Sequence, residues 1–254
     1  MSTIRFALAV SLAVPFSCAA QQRDSAGTSG PIVYDRSNGG PGFSAHEKLT
    51  LNTDGSVVYE TDGPFSLAGI TQNRVGEFAT RVAPGTYAKL AAELTNAMPK
   101  GPHQTTFPVD SGIERIGFEM KGAASLTRAA GAPSAVFDAL VKQIVPLEEA
   151  ARPHPVRALE LSCARQPDAL VCRIQSVGPS PMAAPDLSLS QFSCFHRDRH
   201  MQYLDRPAGV DGSASRRELP TGQAVEIRFP LSACEFHVVV QATGALLVSN
   251  TLTP

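Results

Sequence analysis

Cys163-Ala164-Arg165-Gln166-Pro167-Asp168-Ala169-Leu170-Val171-Cys172 sets the architecture of this chain. Pro167-Asp168 lies midway between the two cysteines, and both residue types favour a turn. With that pair as the turn centre, Cys163 and Cys172 lie directly opposite each other across a hairpin. Opposed residues at a non-hydrogen-bonded position approach to ~4.5 Å between Cα atoms, within reach of a disulfide. A Cys163–Cys172 bridge is therefore implied, and Cys194–Cys234 follows by elimination. The rival pairing joins Cys172 to Cys234 between sheets.

The chain has five cysteines, Cys18, Cys163, Cys172, Cys194 and Cys234. Setting Cys18 aside leaves an even four in the last hundred residues, the pattern of two disulfides in an oxidising compartment. No C-x-x-C pair occurs, and spacings of 9, 22 and 40 match no common zinc module.

The first residues carry an export signal. Arg5 is the lone charge before an apolar run, Phe6 to Phe16, of eleven residues. A bilayer span needs roughly 20 apolar residues, so this run suits the core of a secretory leader over residues 1–20. Two processing readings stand. Cys18-Ala19-Ala20 before Gln21 offers small residues to ordinary signal peptidase. Pro15-Phe16-Ser17-Cys18 reads instead as a degenerate lipobox, with Cys18 the lipidated residue. Residues 21–31 are polar and rich in Ser and Gly, as a flexible tether would be.

The 254 residues are 43% hydrophobic with 12 Phe, enough to fill a core. Trp is absent, and Gly and Pro each number 20, which favours a turn-rich fold containing strands. Net charge is −1 and no basic stripe exists to neutralise phosphates, so nucleic acid is not an expected partner.

The cysteines divide the chain. Residues 32–152 contain none, whereas 155–254 contain four cysteines, nine Arg and no Lys. Between them Ala151-Arg152-Pro153-His154-Pro155 reads as a stiff linker that ends a helix. An α+β domain is expected over 32–152, an antiparallel sheet with two helices on one face. Lys48–Leu51 and Ser56–Tyr59 flank Thr53-Asp54-Gly55, a strong hairpin signal. A third strand is expected near Val75–Val82, and a second hairpin turns at Lys121-Gly122. One helix opens at Pro84-Gly85 and carries Tyr87, Leu90, Ala91 and Leu94. The other follows Pro133, with Val136, Phe137, Leu140, Val141, Ile144 and Val145 in a stripe. Residues 155–254 read as an all-β sandwich with strands at Arg157–Cys163, Ala169–Ser176, Leu187–Phe195, Ala224–Pro230, Phe236–Ala242 and Leu246–Leu252.

Leu170-Val171-Cys172-Arg173-Ile174 leading to Val177-Gly178, with Leu219-Pro220-Thr221-Gly222-Gln223-Ala224-Val225-Glu226-Ile227, resembles the immunoglobulin-like sandwiches of exported bacterial proteins. Asp54-Gly55-x-Val57-Val58-Tyr59, followed by a strand and a helix, is similar to uncharacterised exported bacterial lipoprotein domains. The resemblance implies an α+β module followed by an immunoglobulin-like sandwich, and it transfers no catalytic residue.

Few residues suggest chemistry. His196-Arg197-Asp198-Arg199-His200 places two histidines four apart, but the zinc signature also carries a Glu base on a helix. Here two arginines flank Asp198, and an exposed strand or loop is expected. Gly42-Phe43-Ser44-Ala45-His46 has His where a nucleophile elbow needs Gly. Asp110, Glu114 and Glu119 around a strand edge, and Glu148-Glu149 at a helix end, read as solvated surface. No phosphate-binding glycine loop is present. No catalytic residue, metal ligand or cofactor is expected.

Residues 195–217 hold Phe195, Arg197, Arg199, Met201, Tyr203, Arg206, Arg216 and Arg217, types enriched at interfaces. Phe195, Arg197, Arg199 and Tyr203 are the candidate binding surface. These readings describe a non-catalytic binding or scaffolding protein of the cell envelope. It would be periplasmic, held to the outer membrane by a lipid on Cys18, or secreted, with another envelope protein as partner. The alternative is a periplasmic inhibitor or immunity-type protein against a lytic enzyme.

Overall fold

The structure, a computed structural model, describes residues 30–38, 45–64, 74–83, 85–98, 112–119, 125–198, 200–207, 218–242 and 244–252. The leader with Cys18, most of the 21–31 stretch, Gly42-Phe43-Ser44, Asp110, Lys121-Gly122, Arg199, Arg216 and Arg217 lie outside the described residues.

The elements in chain order are β1 (Ile32–Asn38), β2 (Ala45–Leu51), β3 (Ser56–Thr61), β4 (Arg74–Arg81), α1 (Thr86–Ala97), β5 (Ile113–Phe118), β6 (Ser125–Ala129) and α2 (Ala135–Ala151). They continue with β7 (Pro155–Arg165), β8 (Leu170–Val177), β9 (Met182–Ala183), β10 (Gln191–Phe195), β11 (Met201–Tyr203), β12 (Glu218–Leu219), β13 (Ala224–Phe229), β14 (His237–Ala242) and β15 (Ala245–Val248). The chain is β-rich, with two helices among the described residues. Neither helix is long and apolar enough to cross a membrane.

Local chemistry accounts for the elements. The β2–β3 turn closes with Gly55 N–H donating to the Asn52 carbonyl at 3.0 Å, while the Asp54 carboxylate accepts from Ser56 N–H. Gly55 sits at φ 82, where L side chains are disfavoured. Ser134 caps α2 by accepting from Phe137 N–H. The strand expected from Leu187 begins only at Gln191. Asp186 accepts from Ser188 N–H, and the chain turns at 187–189 instead.

Among the described residues nine strands form one sheet in the order β13-β8-β7-β4-β3-β2-β1-β5-β6, four form a second, β11-β10-β14-β15, and β12 pairs with β9. The first sheet runs unbroken through both halves of the chain. Pro155, read from sequence as part of a linker, starts β7 and pairs with Phe78 of β4; His154 accepts from Ala79 N–H at 3.0 Å. A strand's side chains alternate between faces. On β4, Phe78 joins the core under the helices and Val75 joins the core between the two sheets.

The first core is built from Ile32, Tyr34, Leu49, Leu51, Val57, Tyr59 and Ile116, covered by Leu90 and Leu94 of α1 and by Phe137, Leu140, Ile144 and Leu147 of α2. The second sets Leu159, Leu161, Ile174, Ile227 and Phe229 against Phe192, Val238, Val240 and Leu247. Phe192 and Phe229 meet edge to face at 5.7 Å between centroids. Cys163–Cys172 links neighbouring strands of the large sheet at directly opposed positions, and Cys194–Cys234 ties β10 to the segment before β14. Beyond Glu160, where β4 no longer pairs, Asn250 stands in for a strand. Its amide accepts from Cys163 N–H at 2.7 Å and donates to the Cys163 carbonyl at 3.1 Å.

Two stability predictions follow from this framework. Gly76 holds φ 134, and a Cβ there would lie 2.3 Å from the Arg157 carbonyl oxygen across the β4–β7 pair. Gly76→Ala should cost about 2–4 kcal/mol in urea unfolding. Gly222→Ala, at φ 80 with nothing within 4 Å, should cost about 1 kcal/mol. Equal costs would refute the close-approach account. For the bridges, loop entropy sets the order. Removing Cys194–Cys234, separation 40, should cost about 4 kcal/mol, against about 3 for Cys163–Cys172, separation 9.

Candidate functional site

Two groupings of charge stand out, one buried and one open to solvent. The buried one is a row across the helix-covered face of the large sheet. Arg128 of β6 lies opposite Glu114 of β5, Glu114 opposite Arg36 of β1, and Arg36 opposite Glu47 of β2. Side-chain exposures of 13%, 8%, 19% and 2% make this an internal ladder of alternating sign. Directly opposed ions of opposite sign stabilise a pair of strands. Arg36 ion-pairs with Glu47, and Arg128 pairs with both Glu114 and Asp138. The Arg128 guanidinium also lies 4.2 Å from the Phe137 ring centre.

Helix α2 lowers a further carboxylate onto this ladder. Glu148 shares the buried stripe of Phe137, Leu140, Ile144, Leu147 and Ala151. Arg36 and Arg152 each approach one of its oxygens to 3.9 Å, and Arg152 donates to the Tyr59 hydroxyl at 3.2 Å. Its other oxygen, Oε1, is buried without a hydrogen-bond partner, as is Nε of Arg152. Burial lifts the Glu148 carboxyl to about 7; Arg36 opposes the rise and Glu47 adds to it. Burial likewise raises the phenols of Tyr34 and Tyr59. Arg36 is held above its ordinary range although burial works against its charge, because Glu47 and Glu148 prevail.

These positions correct the sequence reading. Glu148 and Glu114, read as solvated surface, are 3% and 6% exposed. Both lie on the apolar face of their element, a parity that the sequence carries. Glu119 does stay in solvent, paired with Lys48 at 3.5 Å.

The open grouping is a cleft of about 690 Å3 lined by Arg165, His196, Arg197, Asp198, His200, Glu235 and Phe236. Three segments wall it: the end of β7, the turn between β10 and β11, and the stretch before β14. Cys194–Cys234 joins the second wall to the third just behind the lining residues. Arg165 ties the first wall to the third by donating to the carbonyls of Leu231 and Cys234 at 2.8 and 2.9 Å.

Inside the cleft the His196 and His200 rings stack at 4.3 Å. His196 Nε2 meets the Gln202 amide oxygen at 3.1 Å, and His200 Nδ1 meets the Asp198 carboxylate. Arg197 lies over the Phe236 ring at 5.7 Å. Among the described residues neither Arg165 nor Arg197 has a carboxylate within ion-pair distance. Nor does any group of three His, Cys, Asp or Glu side chains there suit a metal ion.

The expected binding surface divides on inspection. Phe195 is 7% exposed, packed with Val239, Leu246 and Val248, so it is core rather than surface. Arg197 lines the cleft, and Tyr203 stands 73% exposed on the edge strand β11. Arg199 lies outside the described residues. Sequence reading missed Arg165, Glu235 and Phe236, which lie 30 residues or more from the turn and reach it only through the fold.

The Glu148 carboxyl makes stability depend on pH. Its pKa rises from 4.5 in the unfolded chain to about 7 in the folded one, so between those values the folded state holds more proton. Its contribution is therefore fully present at low pH and is lost as pH rises toward 7. Glu148→Gln removes this loss. The stability of the variant relative to wild type should rise by up to about 3 kcal/mol between pH 4.5 and 7.5 in urea titrations. A difference that stays flat across that range would contradict the buried, proton-holding carboxyl.

A comparison with protein-family models finds no match, and neither does one with curated proteins.

Proposed function

We propose that this chain is an exported, disulfide-bonded protein of the cell envelope that binds a ligand or partner without transforming it, through the cleft at Arg165, Arg197 and Phe236. The observation that carries this reading is the bracing of the cleft. One disulfide and one doubly hydrogen-bonded arginine fix its three walls before any ligand arrives. Preorganisation of this kind lowers the entropic cost of binding. The lining offers recognition chemistry, namely guanidinium groups, stacked imidazoles and a ring face.

Location outside the cytoplasm rests on the leader and on the two disulfides, which persist in oxidising compartments. An immunoglobulin-like relationship for residues 155–254 is supported by β7, β8 and β13 facing β10, β14 and β15 across a shared core. The lipid anchor at Cys18 remains part of the proposal and rests on the Pro15-Phe16-Ser17-Cys18 pattern.

One observation favours a second reading, an inhibitor of a lytic enzyme. Met201 and Tyr203 project from an edge strand at 41% and 73% exposure. An exposed aromatic on a strand that ends its sheet among the described residues suits a protein partner that adds a strand.

Two measurements test these readings. The intact mass of native protein should lack the leader and fall four hydrogens below the reduced mass, as two bridges require. Capture from envelope extract should then be lost in Arg197→Ala and kept in Tyr203→Ala. The opposite pattern, with one enzyme recovered in equal amount, selects the inhibitor. A native protein with an intact leader and four free thiols refutes export.

A further inference from the structure

The geometry points to an oxyanion as the ligand of the cleft: a carboxylate or phosphate group, held between Arg165 and Arg197. This assignment rests on the reading of the cleft as a binding site and names its chemistry. Arg165 spends two of its donors on the neutral carbonyls of Leu231 and Cys234. That anchors the guanidinium without cancelling its charge, and its Nε is buried with no partner. Arg197 is placed over the Phe236 ring at 5.7 Å, a contact that leaves its donors unclaimed by any carboxylate among the described residues. Elsewhere arginines of this protein face carboxylates, as Arg36, Arg74, Arg128, Arg157, Arg173 and Arg228 do. Among the described residues Arg115 and Arg206 also lack an ion pair, but Arg165 and Arg197 are two such guanidiniums lining one cavity.

Of the two carboxylates in the lining, Asp198 is engaged with His200. Glu235 has no ion pair among the described residues, and it opposes an incoming anion by like charge. Guanidinium groups favour carboxylate and phosphate because their planar fork matches two oxygens at once. About 690 Å3 exceeds what a bare anion fills, so the oxyanion would be carried on a larger polar molecule. A sugar acid is one carrier of that chemistry, and free phosphate tests whether the bare anion suffices.

The test is calorimetric titration of the oxidised, full-length mature protein with inorganic phosphate and, separately, with digalacturonate, each at low and physiological salt. Wild type should bind digalacturonate, and affinity should weaken as salt rises. Arg197→Ala should lose about tenfold in affinity, and it is safe for folding because Arg197 is exposed. Glu235→Gln should gain about threefold, since it removes the opposing charge. Lys89→Ala, at an exposed position of α1 outside the cleft, should bind as wild type does. Phosphate bound as tightly as the sugar acid would make the free anion the source; phosphate bound weakly or not at all makes the carrier part of recognition.

The oxyanion assignment is overturned if neither probe binds at millimolar concentration, or if Arg197→Ala leaves affinity unchanged. It is equally overturned if Glu235→Gln weakens binding, which would show a cationic ligand. Any of these results beside an Arg197-dependent capture from envelope extract removes the oxyanion and leaves the binding reading standing.

Discussion

The pairing of β4 with β7 is the contact on which the rest of this structure depends. It brings together two strands separated by both helices and by the β5–β6 hairpin, and it turns what would be two sheets into one. The close approach at Gly76 allows it. A side chain there would meet the backbone of Arg157 and Ala158, and the φ of 134 is one that only glycine adopts at little cost. Because the strand alternates, β4 then serves both cores: Phe78 completes the layer under the helices and Val75 the layer between sheets. A shear of one residue at this pair would exchange the two faces and expose both cores at once.

The same register explains the buried ladder. The row Arg128, Glu114, Arg36, Glu47 continues through Thr61 and Gly76 to Ala158, one residue from each of seven strands. Alternating charge along a hydrogen-bonded row favours one strand order and disfavours others, since a wrong neighbour would oppose like charges. Burying these ions is costly, and such pairs are weak evidence for net stability. Their contribution is to specificity: β1 must lie beside β2, and β5 beside β6, for each guanidinium to find its carboxylate. Glu148 extends the requirement to α2, because the helix must dock with its carboxyl over Arg36.

What the sequence disclosed and what it hid divide along the range of the interactions. The Cys163–Cys172 pair was legible because Pro167-Asp168 fixes the turn and opposition follows by counting. The hairpin at Asp54-Gly55 and the start of α2 after Pro133 were legible for the same local reason. Glu47 and Glu148 carried a readable signal: Glu47 alternates in phase with Ala45, Leu49 and Leu51, and Glu148 falls on the stripe of Ile144 and Ala151. Treating charged residues as surface by type concealed it. The β4–β7 pairing had no local signal at all, and the two prolines near it suggested a linker. Phe195 was misplaced because its neighbours in sequence are polar, whereas its neighbours in space are Val239, Leu246 and Val248.

Arginine does opposite work at the two charged sites, and the contrast carries the functional argument. In the ladder every guanidinium is set opposite a carboxylate by strand register, so its charge is consumed internally and contributes to architecture. At the cleft, Arg165 is fixed by carbonyl oxygens and Arg197 by a ring face. Neither interaction neutralises the side chain's charge. Immobilising a charge without compensating it raises the cost of the empty site and lowers the cost of filling it with a counter-charge. The Cys194–Cys234 bridge ties two of the walls together beside those charges. No carboxylate among the described residues satisfies them, and that is the physical reason for the proposal that recognition lies at this cleft.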